Sequence, residues 1–101
     1  MNDIELARSF LAKKESSDSR KIPFELSFKK YKQLMIRKTC FYSGVKFEEK
    51  SDKSRSLERL DSNKGYTDKN TIACTKRINN LKNNLTIGEL NKLVNKLNKI
   101  K

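Results

Sequence analysis

The chain has 101 residues, enough for one small domain with a modest core. Lys and Arg number 24 against 12 Asp and Glu, a net charge of +12, while apolar and charged residues stand nearly level at 35% and 36%. That balance excludes a large hydrophobic core, no apolar run approaches the roughly 18 residues that cross a bilayer, and residues 1–17 are too polar for a secretory signal. Charge at this density points to a polyanionic partner. The expected location is therefore the cytoplasm, with no membrane partner. Two cysteines, Cys40 and Cys74, are too few for a disulfide scaffold and read as reduced, buried thiols. An Asn84-Leu85-Thr86 glycosylation acceptor means nothing without export.

In chain order, residues 3–14 form a short helix, with Ile4, Leu6, Ala7, Phe10 and Leu11 at helical spacing. Residues 13–21, with three serines and mixed charges, read as a flexible connection. After Pro23, Ser27 caps a second helix whose apolar stripe is Phe28, Tyr31, Leu34 and Met35. Residues 40–47 suggest a turn and short strand closed by Gly44, and residues 48–55 a charged loop. Residues 57–60 and 71–74 read as two strands about a turn at 61–65. From Thr75 the period becomes helical, with Ile78, Leu81 and Leu85 on one side. A final helix opens on a capping box of Thr86 and Glu89, and Ile87, Leu90, Leu93, Val94, Leu97 and Ile100 recur every three or four residues. That stripe is expected to continue the core, with a homodimer seam as its alternative use.

The informative stretch is Leu57-Glu58-Arg59-Leu60-Asp61, then Lys64-Gly65-Tyr66-Thr67, Asn70 and Asn79-x-x-Lys82, preceded by Cys40-Phe41-Tyr42-Ser43-Gly44. In order and spacing it resembles the phage-type HNH (His-Me finger) endonucleases over residues 39–86. The resemblance implies a ββα-metal core. An acid ending the first strand and a polar residue on the helix would hold one divalent cation, Mg2+ or Mn2+, beside a histidine that activates water. Carried across, the acid is Glu58, the helix ligand Asn79, the loop-bracing asparagine Asn70 and the histidine position Arg59. Arginine departs from that pattern. A guanidinium with a pKa above about 12 cannot act as a base near neutral pH, and the chain contains no histidine. Arg59 can still grip a phosphate.

A structural zinc is not expected, because two cysteines and no histidine cannot supply four ligands. Asp61-x-Asn63-x-Gly65 imitates the start of a calcium loop, but Ile72 stands where the bidentate Glu belongs. Tyr66 packs a turn more readily than it replaces the base, since its hydroxyl titrates near 10.

The expected architecture is a single α+β domain: a helical part at 1–38, an HNH-like ββα core at 39–85, and a helix at 86–101 packed over it. The expected function is nucleic-acid binding, with DNA the favoured polyanion and Arg59, Lys64, Lys69, Lys76, Arg77 and Lys82 neutralising phosphates. Two alternatives keep the fold. One is a metal-dependent endonuclease or nickase using Glu58 and Asn79, with Arg59 assisting. The other redirects the surface to a host protein in an infected cell's cytoplasm.

Overall fold

A computed structural model of the chain describes residues 2–100. Its elements are α1 (Asp3–Ser19), α2 (Phe28–Ile36), β1 (Arg55–Arg59), β2 (Thr71–Thr75), α3 (Lys76–Asn84) and α4 (Ile87–Ile100), an α+β arrangement. Asn2 caps α1 by accepting from the Glu5 N–H at 2.8 Å. The helix runs past the expected boundary at 14, and the flexible connection expected over 13–21 is helical to Ser19. Its serines close hydrogen bonds to the helix itself: Ser17 Oγ, fully buried, donates to Lys13 O, and Ser19 Oγ donates to Ser16 O. The helix ends where Lys21 takes a φ of 58°.

Ser27 caps α2 as expected, its Oγ accepting from the Lys30 N–H at 3.1 Å. Asp68, far along the chain, accepts from both Ser27 N and Ser27 Oγ at 2.8 Å. Those two bonds hold the Asp68 carboxyl below the ordinary aspartate pKa. They also fasten the loop before β2 to the start of α2.

The two strands pair antiparallel, with Leu57 opposite Ala73 and Glu58 opposite Ile72. Alternation along a strand divides the sheet into two faces. One face carries Leu57 into a core of Leu6, Leu26, Tyr31 and Tyr66, to which Phe10 and Phe24 add edge-on aromatic contacts. The opposite face carries Ile72 and Cys74 into a smaller core with Cys40, Phe47 and Ile78. Residues 40–47 form a turn with a single bridge between Thr39 and Lys46 rather than a strand, and Gly44 supplies the positive φ of 72°. Both thiols are free and buried. Burial opposes ionisation of Cys40, but hydrogen bonds from Ser43 and the Thr75 N–H lower its pKa to about 7; burial pushes Cys74 up to about 11.

Tyr66 is a core residue rather than a reactive one, held by a parallel bridge to Phe24. That bridge explains Gly65, because a Cβ there would lie 2.4 Å from Pro23 O. Gly65→Ala must push the 23–25 segment away from Tyr66 and break the bridge. It is expected to lower the unfolding free energy by ~2 kcal/mol in urea denaturation.

Thr75 ends β2 and caps α3, accepting from the Ile78 N–H at 3.3 Å. The Thr86–Glu89 capping box forms as expected, with reciprocal bonds of 3.0 and 3.1 Å. The expectation that α4 packs over the core is not met. Leu90 is partly covered, yet Leu93, Val94 and Leu97 remain 51%, 52% and 50% exposed, and α4 makes little contact with other elements. Helical periodicity records an apolar stripe without recording what covers it.

Candidate functional site

Glu58 and Arg59 are consecutive on β1, so their side chains leave the sheet on opposite faces. Glu58 points to the α3 face and is only 8% exposed. Its Oε1 accepts from the Arg59 N–H at 2.8 Å, whereas Oε2 is buried with no hydrogen-bond partner. A buried carboxylate oxygen without a partner is costly unless a donor or cation arrives. Glu58 lines a small cleft of about 210 Å3 with Ser62, Lys82, Asn83 and Thr86.

Arg59 lies on the other face, its guanidinium 5.4 Å from the centre of the Tyr66 ring. Its Nη1 donates to Ser62 O at 2.9 Å and Lys64 O at 3.0 Å. Arg59 therefore braces the turn that follows β1. Asn70, 9% exposed, braces it too: Oδ1 accepts from Asp61 N, and Nδ2 donates to Asp61 O and Gly65 O. Lys82 reaches back from α3 and donates to Arg59 O at 2.7 Å and Leu60 O at 3.3 Å. Side chains thus satisfy the carbonyls of residues 59, 60, 61, 62, 64 and 65. Three residues named for chemistry or phosphate contact share one architectural task. Arg59→Ala is expected to lower the unfolding free energy by ~2 kcal/mol, the scale of hydrogen bonds from a charged donor, read by urea denaturation.

Asn79 does not face the cleft. Its Nδ2 donates to Ser56 Oγ at 2.9 Å, and its Oδ1 accepts from Asn83 at 3.4 Å. Helix α3 runs alongside β1, so two strand residues, about 6.6 Å, match one helical turn of about 5.4 Å. Moving from Ser56 to Glu58 therefore moves the facing amide from Asn79 to Asn83. Asn83 is the site residue that sequence reading passed over, and its i+4 spacing from Asn79 was the available signal.

The remaining cations split into two groups. Lys64 and Lys69 are exposed in the turns at the closed end of the hairpin. Lys76 and Arg77 are exposed at the start of α3, beyond the other end of β2 and ~13 Å away along the strand. Arg77 makes an exposed ion pair with Asp52 at 3.6 Å, worth little at such a surface.

The cleft meets the requirements of a divalent cation only in part. Glu58 Oε2 offers one oxygen, Asn83 an amide in the same cleft, and Lys82 a competing positive charge. Asn79 would have to release Ser56 to turn its oxygen towards Glu58. Among the described residues, no group of three or more His, Cys, Asp or Glu could hold a metal ion, and no helix is long and apolar enough to cross a membrane.

No family model matches the chain, and no solved structure matches it. Over 80 residues, 78% of its length, the chain is 38% identical to an uncharacterized 29.0 kDa protein from the dda-modA intergenic region of Enterobacteria phage T4. The matched span is 30% of that phage protein's length.

Proposed function

We propose that the chain is an HNH-like (His-Me finger) nucleic-acid-binding module of phage origin that takes DNA as its polyanion, with cleavage weakened or lost. The observation that carries this reading is the placement of Arg59. The position that would hold the base is a guanidinium bound to two loop carbonyls, on the strand face opposite Glu58. The ββα order and the Asn70-braced turn support the family reading, and similarity to a phage protein supports phage origin. The exposed cations at both ends of the hairpin, within a chain of net charge +12, support phosphate contact.

One observation favours a second reading, a metal-dependent endonuclease. The unpartnered Glu58 Oε2 is an oxygen that a cation would satisfy, with Asn83 or a released Asn79 as its neighbour on α3. A bound Mg2+ or Mn2+ would neutralise phosphate charge and lower the pKa of a coordinated water. The chain's own part would be to fix Glu58 on a strand stiffened by Asn70 and Lys82.

Supercoiled plasmid incubated with the protein and Mg2+ or Mn2+ separates the two. Retardation on a gel without nicking is the expected result. Nicking that disappears in Glu58→Ala would replace binding by the nuclease reading, and neither retardation nor nicking at low salt would remove both.

A further inference from the structure

The apolar side of α4 is a feature that the proposed function leaves unused. A groove of about 380 Å3 runs between α3 and the first turns of α4, lined by Tyr42, Ile78, Leu81, Leu85, Leu90 and Leu93. Beyond its end, Val94 and Leu97 continue the same side of α4 as an exposed ridge. We propose that this groove and ridge form the interface of a symmetric homodimer, with the ridge of each copy seated in the groove of the other.

Three observations identify a second copy as the occupant. Groove and ridge lie side by side on one chain, so a two-fold axis between two copies can set each ridge against the other's groove. Leu90, Val94 and Leu97 follow a four-then-three spacing, with a β-branched residue between leucines, as in a short helix-pairing seam. Charge placement is the third. Two copies of net charge +12 repel, yet at about 100° per residue Lys92, Lys96 and Lys99 project away from the ridge. Asn91, Asn95 and Asn98 occupy one flank, where neutral amides tolerate a like-charged neighbour and can hydrogen-bond to it. An acidic partner would be favoured had the α4 lysines rimmed the seam; they stand behind it, and Lys82, which does line the groove, has its ammonium bonded to Arg59 O and Leu60 O.

The interface also borders the Glu58 cleft, because Lys82, Leu85 and Leu90 line both. The partner copy would therefore close one wall of that cleft.

Sedimentation equilibrium of the whole chain, freed of nucleic acid by nuclease treatment and high salt, tests the proposal. The expected mass is twice the 11.8 kDa of the chain at protein concentrations of ~10–100 μM. Val94→Glu with Leu97→Glu is expected to give the monomer mass. Leu81→Glu on α3 should do the same, a second route that leaves α4 untouched; circular dichroism checks that helix content is retained in each. A wild-type monomer at ~100 μM, a dimer that survives either variant, or a dimer lost when nucleic acid is removed would overturn the interface. The first two outcomes do not depend on whether the monomer binds DNA, and the third requires that it does, so failure here leaves the functional proposal standing.

Discussion

Asn70→Ala is expected to lower the unfolding free energy by about 3 kcal/mol, a large share of the roughly 5–15 kcal/mol that holds a small domain folded. The amide makes three hydrogen bonds from a position 9% exposed, two to the backbone of Asp61 and one to Gly65 O. Truncation removes all three and leaves those backbone groups without partners, which costs more than the bonds themselves contribute. Asn70→Asp should do no better. It keeps an acceptor for Asp61 N but turns a carboxylate towards the two carbonyls that Nδ2 now satisfies. Asn63→Ala, an exposed change on the same turn, should stay within ~0.5 kcal/mol. Urea denaturation followed by circular dichroism measures all three. An Asn70→Ala protein as stable as wild type would show that the turn does not depend on this amide.

The second large effect concerns the exposed cations. Replacing Lys64, Lys69, Lys76 and Arg77 together by alanine is expected to weaken duplex DNA binding about a hundredfold at moderate salt and to flatten the salt dependence by about 3.6 units of slope. Each pair alone, Lys64 with Lys69 or Lys76 with Arg77, should remove about half of that slope. The pairs sit at opposite ends of the hairpin and share no partner, so their effects should add. Loss of binding from one pair alone would mean that a single end of the hairpin meets the phosphates. None of the four side chains is buried, so the folded state should survive all of these changes.

Where the signal was local, the sequence was informative. Ser27, the Thr86–Glu89 box and the turn at 61–65 announce themselves through side-chain oxygens and turn residues that bond within three or four positions. The family resemblance implies a loop-bracing role for Asn70, and its amide bonds the backbone of Asp61 and Gly65. Long-range and three-dimensional facts were harder. Ser17 was read as linker because its burial depends on tertiary packing. The Asp68–Ser27 tie joins residues 41 positions apart. The divergence of Glu58 and Arg59 was available from strand alternation alone. The family resemblance carries residue roles without that alternation, and Arg59 braces the turn. Lys82, counted among phosphate ligands, is drawn to carbonyl oxygens by the way α3 folds back beside β1.

The central claim, that this basic ββα module binds DNA through its phosphates, is tested most directly by fluorescence anisotropy of a labelled duplex titrated with the wild-type protein across a salt series. With four exposed cations engaged, the logarithm of the association constant should fall linearly against the logarithm of salt with a slope near −3.6, largely independent of base sequence. No association at ~50 mM salt, or an affinity indifferent to salt, would contradict it.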